Sequence, residues 1–321
     1  MKKYILRGKK PTRHGFGEEL ALLGEKNDKI VVLGADVTGS VMTSFFKEKH
    51  PERFISLGIA EQNATTVATG LALCGKIPFF STYATFSTFR NADQIRISVC
   101  YNNANVKIAG AHAGLTVGPD GATHQALEDI ALMRSLPNMT VVVPCDYVQA
   151  RKATAAIAEI QGPAYIRLSR SEVPLFTEET SKFEIGKADV LQDGDDVAIV
   201  ACGTMVWEAL LAAEILFEQH KIKATVINNH TIKPLDEKTL IAAAKKCGAF
   251  VTAEEHQVYG GMGSAVAELL AQKHPIYMEI IGIQDSFGES GAPHELLEKY
   301  GLTANDIVKS ALKVIERKKN N

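Results

Sequence analysis

Short β-rich runs alternate with helical patterns along nearly the whole 321-residue chain, and this alternation sets the fold class. In the first half, strands are expected at Lys29–Gly34, Phe54–Leu57, Ile77–Ser81, Val106–Gly110, Thr140–Val143 and Tyr165–Leu168. Ala60, Ala64, Val67, Ala68 and Leu71 recur at helical spacing, which predicts a helix from about Glu61 to Cys74 with Gly75 as its C-terminal cap. Two further helices are expected from about Gln125 to Ser135 and from about Tyr147 to Ile160. The stretch 171–188 is polar, carries Pro174 and shows no period, so it reads as a linker. After it the alternation resumes. Strands are expected at Val197–Ala201, Ala224–Ile227, Phe250–Ala253 and Tyr277–Ile281, with helices between and after them. Such a pattern calls for right-handed crossovers and mostly parallel sheets covered on both faces. The expectation is an α/β chain of two three-layer domains, residues 1–172 and 188–321, joined by a linker at about 173–187. No convincing repeat relates the halves.

Composition removes several classes. Apolar residues make up 46% and charged residues 22%, enough for a substantial core and far from a disordered or fibrous chain. The net charge of −2 gives no electrostatic argument for nucleic acid or an anionic membrane surface, and no apolar run reaches the ~18 residues of a membrane span. Cys74, Cys100, Cys145, Cys202 and Cys247 are scattered and form no C-x-x-C, against a disulfide framework or zinc ribbon. The basic N-terminus has only Tyr4-Ile5-Leu6 as an apolar stretch, too short for a signal peptide. A cytoplasmic chain with reduced thiols is expected.

Ligands of open parallel sheets bind beyond the carboxyl ends of the strands. The polar residues just past the predicted strands are Asp36, Glu61, Thr82, Tyr83, His112, Asp146, Ser169 and Arg170. Four segments sharpen this picture. Glu61 opens a helix otherwise lined by small apolar residues, where the helix dipole favours an ionised carboxylate. Tyr83, Phe86 and Phe89 recur every third residue and suit a pocket for a flat heterocycle, although a core stripe would look the same. The run from His112 to Gln125 is a glycine-rich loop carrying His112, Asp120 and His124, hard to explain by packing; its spacing fits no familiar zinc motif. Arg167-Leu168-Ser169-Arg170, with Thr12-Arg13-His14-Gly15 as a possible partner, suits a phosphate, because guanidinium groups bind such anions bidentately.

Together these segments resemble the transketolase family of thiamine diphosphate enzymes, from about Pro11 to Ile315. The closest resemblance is to the separate C-terminal subunit of a split transketolase. The strongest marks are GIAEQN at 58–63, HAGLTVGPDGATHQ at 112–125 and RSLPNM at 134–139, supported by AEEHQVYGGMGSAVAE at 253–268 and DSFGESGAPHELLEKYGL at 285–302. The resemblance implies a pyrimidine-binding domain followed by the family's C-terminal domain. It implies transfer of a two-carbon ketol unit from a ketose phosphate to an aldose phosphate, as in the pentose phosphate pathway. Glu61 matches the glutamate that hydrogen-bonds the aminopyrimidine, and Phe86 the aromatic that stacks on it; Tyr83 and Phe89 fall among the other pocket aromatics. Asp36 falls near the cofactor and the subunit interface. His112, Asp120 and His124 match substrate-channel residues, with His112 and His124 also counted as catalytic. Arg13, Ser40, His112 and Arg170 fall where the sugar phosphate is gripped. The family holds the diphosphate through Mg²⁺ and a GDG motif, and no GDG occurs here. No metal ligand is therefore assigned to this chain. An N-terminal transketolase subunit carrying the diphosphate domain is the expected partner, with homodimerisation through this chain and a heterotetramer overall.

Other readings exist. The β subunit of a 2-oxo acid dehydrogenase has similar length and domain order, but the 112–125 loop and the phosphate arginines argue against it. Deoxyxylulose phosphate synthase shares similar segments but is one long chain. A regulatory α/β binding subunit without catalysis is the alternative of a different class. A Rossmann dehydrogenase is disfavoured because no G-x-G-x-x-G follows the first strand.

Overall fold

The structure, a computed structural model, describes residues 4–320. Met1–Lys3 and Asn321, which the two expected domains include, lie outside the described residues. Strands in the first half are β1 (Lys9–Lys10), β2 (Ile30–Gly34), β3 (Phe54–Ser56), β4 (Ile77–Tyr83), β5 (Lys107–Ala111), β6 (Thr140–Val142), β7 (Ala164–Arg167) and β8 (Val173–Pro174). The second half has β9 (Asp189–Gln192), β10 (Val197–Ala201), β11 (Ala224–Asn228), β12 (Thr231–Lys233), β13 (Ala249–Gln257) and β14 (Tyr277–Ile283).

The first sheet runs β12-β6-β7-β5-β4-β2-β3, parallel except for β12 at its edge. Alternate residues of β2 face opposite ways. Ile30 and Val32 pack with Phe16 and Leu20 of helix Thr12–Lys26 and with Ala150, Ala153 and Ile157 of helix Tyr147–Glu159. Val31 and Leu33 pack with Ala64 and Ala68 of helix Glu61–Leu73 and with Ile130 and Met133 of helix Asp129–Ser135. This is the doubly covered sheet the alternation demands.

The second sheet runs β14-β13-β10-β11-β9, with only β9 antiparallel. Helices Met205–His220 and Ala304–Lys319 cover one face; helices Glu237–Cys247 and Met262–Lys273 cover the other. The halves interlock. β12 follows β11 in the chain yet pairs with β6 of the first sheet, and one apolar cluster runs from Val31 and Phe80 to Val200 and Phe250.

Helix Thr12–Lys26 carries no clear sequence signal because Gly15, Gly17 and Gly24 interrupt its pattern. At Gly15 the reason is steric, since a Cβ there would run into the Tyr147 carbonyl of the facing helix. Other departures are local. The helix expected from Gln125 begins at Asp129, and the segment 171–188 is pinned rather than free. β8 pairs with β1, and Asp146 accepts from the backbone N–H of Phe176 and Thr177 while capping its own helix at Gln149. Asp146 is therefore a structural residue, as polar strand-end residues often are.

Candidate active site

The carboxyl ends of β2, β3, β4, β5 and β7 are neighbours in one sheet, so the residues leaving them meet at one edge. After β3 the chain turns through Gly58-Ile59-Ala60 into helix Glu61–Leu73. Glu61 is its first residue and is only 3% exposed. Small side chains behind it, Ala64 and Ala68, let the helix lie against the sheet and draw its N-terminal end inward. There the helix dipole stabilises a carboxylate. Glu61 Oε1 accepts a hydrogen bond from Arg90 Nη1 at 2.7 Å. The same guanidinium lies over the Phe86 ring, 3.9 Å from its centroid.

Tyr83 ends β4 and precedes the short helix Ala84–Thr88. Its ring stacks on Phe86 at 6.0 Å and 19°, and on His112 at 4.1 Å and 26°. His124 stands edge-on to Tyr83 and Phe86, at 5.9 and 5.3 Å. His112 follows β5, and its Nε2 lies 3.0 Å from Arg13 Nη1, which also donates to the Ser40 carbonyl at 2.7 Å. A guanidinium cannot accept, so Nε2 is the acceptor and the ring proton sits on Nδ1. Burial, then the charges of Arg13 and Arg170, push the His112 imidazole down to about 3, so it is neutral at ordinary pH. An unbroken series of contacts thus runs from Glu61 through Arg90, Phe86, Tyr83, His112 and Arg13 to Ser40.

Two donors in this series are unspent: His112 Nδ1 and Arg13 Nε are buried and have no partner among the described residues. Burial and the neighbouring Arg170 charge hold the Arg13 guanidinium below its usual value. Arg170 itself donates to the Val117 carbonyl at 2.6 Å. Paired guanidiniums with spare donors favour an anionic ligand. Asp36 and His112 have φ of 62° and 55°, in the left-handed region that Met42, Asn103, Asn138, Lys221 and Asp285 also adopt elsewhere in the chain.

The loop after His112 is held from the second domain. Glu255 of β13 is buried; its Oε1 accepts from the Thr116 N–H at 2.6 Å and its Oε2 from the Thr204 hydroxyl at 2.9 Å. Gly114, at φ 84°, lies so close that a Cβ would overlap the Glu255 carboxylate. Burial pushes the Glu255 carboxyl up, opposed by Arg167 and these hydrogen bonds.

Of the residues singled out in the sequence, Glu61, Tyr83, Phe86, His112, His124, Arg13 and Arg170 come together at this edge. Ser40 joins through its carbonyl rather than its hydroxyl. Asp36 and Asp120 are exposed, and Phe89, 42% exposed, stands outside the ring stack. Arg167 is a correction. Its guanidinium is buried in an ion pair with Asp129 at 2.8 Å and donates to the carbonyls of Ala126 and Glu255, so it holds the fold rather than an anion. The neighbouring Ser169 pairs with Thr12, as the sequence suggested (Oγ–Oγ1 3.0 Å). Arg90 and Glu255 were missed. The four-residue step from Phe86 to Arg90 is the one sequence signal that would have found the former; the latter lies in the 253–268 segment that carries the resemblance, which does not single out its carboxylate.

The carboxylate and ring face fit a flat, N–H-bearing group, since the Arg90 guanidinium, itself flat and N–H-bearing, meets both. They thus suit the pyrimidine half of thiamine diphosphate. Among the described residues no three His, Cys, Asp or Glu side chains form a metal-binding group.

Comparison with known proteins gives a consistent answer. Residues 8–175 match the transketolase pyrimidine-binding domain, and residues 186–307 match the transketolase C-terminal domain. The chain is 45% identical to a putative transketolase C-terminal section of Methanocaldococcus jannaschii, covering 96% of this chain and 97% of that one. It is also 45% identical to a 6-deoxy-6-sulfo-D-fructose transketolase subunit of Clostridium sp., covering 95% of each. A solved structure described as a split gene transketolase, inactive beta4 tetramer, superposes with a TM-score of 0.90 at 51% identity, over 95% of this chain and 98% of that one. With both of its domains matched and near full-length relatives aligned end to end, this chain belongs to the transketolase family.

Proposed function

We propose that this chain is the C-terminal subunit of a two-chain transketolase, using thiamine diphosphate and Mg²⁺ to move a two-carbon ketol unit from a ketose phosphate to an aldose phosphate. The observation that carries the reading is Glu61, a buried carboxylate that shares one flat partner, the Arg90 guanidinium, with the Phe86 ring. When bound, the cofactor supplies the carbon nucleophile that takes up the two-carbon unit. Glu61 Oε1 would hold the proton shared with a ring nitrogen, and Phe86 would give the ring a stacking surface. His112, neutral and with a free Nδ1–H, suits a donor to a sugar oxygen. His124 borders the same edge and suits a sugar hydroxyl, and the exposed Asp120, four residues before it, would read another. Arg13 and Arg170 would grip the terminal anion remote from the reacting carbon, so that its binding orients the chemistry.

The Mg²⁺ and diphosphate would be held by a second polypeptide, an N-terminal subunit, with two copies of this chain pairing in a heterotetramer. The split-gene relative, described as an inactive beta4 tetramer, supports self-association of such a chain and its need for a second polypeptide. The relative from Clostridium sp. is named for a sulfosugar. A sulfonate presents the same three-oxygen anion as a phosphate ester, and a guanidinium pair suits either.

The test is reconstitution. This chain is mixed with its N-terminal partner, thiamine diphosphate and Mg²⁺, and assayed with xylulose 5-phosphate, 6-deoxy-6-sulfofructose and pyruvate as donors. Ketol transfer that needs both chains supports the proposal. Full turnover by this chain alone, or turnover with pyruvate only, overturns it.

A further inference from the structure

The Arg90 side chain occupies the two features that a bound aminopyrimidine needs. Its guanidinium is planar and delocalised and presents N–H groups in its plane. One of them meets Glu61 Oε1 at 2.7 Å, and its central carbon lies 3.9 Å from the Phe86 centroid. A carboxylate and an aromatic face can serve only one flat partner at a time. We propose that Arg90 is a resident stand-in for the cofactor ring: it caps Glu61 and covers Phe86 in the free subunit, and swings out when the aminopyrimidine docks.

Three observations support an exchangeable cap over a fixed structural pair. The first is asymmetry of burial: the Glu61 side chain is 3% exposed and that of Arg90 is 43% exposed. The carboxylate is thus set in the wall, whereas the cation stands at the mouth and can leave into water. The second is tethering. Gln62 Nε2 donates to the Arg90 carbonyl at 3.0 Å, which pins the backbone. Among the described residues the guanidinium has no other hydrogen-bond partner, so its long stem is free to rotate away. The third is electrostatic need. A buried carboxylate without a counter-charge is costly, so a site that must keep Glu61 ionised between encounters with its ligand requires a temporary partner. Phe86 and Arg90 lie four residues apart along helical backbone, which brings the stem back over the ring.

The proposal rests on the reading of the site as a thiamine diphosphate pocket. It goes further in making cofactor affinity depend on a competing side chain. If the capped form dominates, observed affinity is reduced by the uncapped fraction, and deleting the cap restores it. The experiment has two arms. In the first, the complex with the N-terminal subunit and Mg²⁺ is titrated with thiamine diphosphate by calorimetry. The unmodified complex must bind; if it does not, the pocket reading fails. Given binding, Arg90→Ala is expected to tighten it about tenfold, with Arg90→Lys, which keeps the charge but not the flat face, between the two. Unchanged or weaker binding by Arg90→Ala overturns the proposal and makes Arg90 either irrelevant or a cofactor ligand. The second arm needs no cofactor. Thermal unfolding of the full chain is compared for Arg90→Ala with and without Glu61→Gln. Arg90→Ala is expected to lower the midpoint where Glu61 is present and to have little effect where it is not. Equal effects in both backgrounds would show that Arg90 does not cap Glu61, and would sink the idea independently of the first arm.

Discussion

Glu61 and Glu255 are both 3% exposed, yet their surroundings differ in kind. Glu61, in the first domain, is balanced by one side chain that reaches in from the surface. Glu255, in the second, is balanced by the Thr116 N–H and the Thr204 hydroxyl, with the buried Arg167 charge nearby. The first partner can leave without disturbing the fold. The second pair cannot, because Thr116 sits in the loop that begins at His112. The lesson is that a buried charge meant for a ligand is held by something replaceable, whereas one meant to fix geometry is held by the frame. The second domain thus contributes the clamp that fixes the loop after His112 in the first.

This contrast can be broken by substitution. Glu61→Gln should cost the reconstituted enzyme ~10²–10⁴-fold in kcat, the range of general acid–base catalysis, with thermal stability nearly unchanged. A variant turning over within a factor of three of the parent would end the assignment of Glu61. Glu255→Ala should do the reverse in kind. It leaves two buried donors unpaired, which costs about 2–4 kcal/mol in urea unfolding. Glu255→Gln should lose much less, since its amide can still accept from the Thr116 N–H while donating to the Thr204 oxygen. If alanine and glutamine prove equally mild, the clamp is dispensable. A smaller change is expected at the anion end. Arg170→Ala should raise KM for phosphorylated sugars ~10–100-fold, the worth of a charge-assisted hydrogen bond, while sparing unphosphorylated donors. An equal loss on both would point to movement of the Val117 loop instead.

Much of this was legible in the chain itself. The central strands read correctly because strands buried on both faces are continuous apolar runs. Glu61 and His112 stood out because they follow strand ends, where a parallel sheet collects its ligands, and His124 because it lies in the glycine-rich loop after His112. The aromatic stripe was only partly readable. Tyr83 ends β4 in extended backbone, Phe86 lies in the short helix Ala84–Thr88 and Phe89 opens the turn after it, so no single helical period relates the three rings. Tyr83 and Phe86 stack, and Phe89 turns out to solvent. Arg167 and Arg170 look alike in sequence, but only contact with Asp129, 38 residues away, separates the structural one from the candidate ligand. The roles of Arg90, Glu255 and the β12 strand could not be read locally, because each is set by a partner far along the chain.

The faintest expected effect is a pH dependence that sets His112 against the rest of the fold. Its imidazole is pushed down to about 3, chiefly by burial and then by Arg13 and Arg170, whereas in the unfolded chain it would titrate near 6.5. Between those values the unfolded state binds a proton that the folded state refuses. Stability from this group is therefore complete above about pH 6.5 and is lost as the pH falls toward 3. Taking the pH from 7 to 6 should cost on the order of 0.5–1 kcal/mol from this residue. His230, pushed down to about 4 by burial, and His14, also lowered chiefly by burial, add losses of the same sign, so the contributions must be separated. His112→Gln, which keeps an acceptor for Arg13, should flatten the acid limb of a urea-unfolding series by that amount and leave the part due to His230 and His14. An acid limb unchanged by this substitution would mean that the ring already carries a proton in the folded chain. The Arg13 contact would then have to be drawn differently, and with it the anion end of the site.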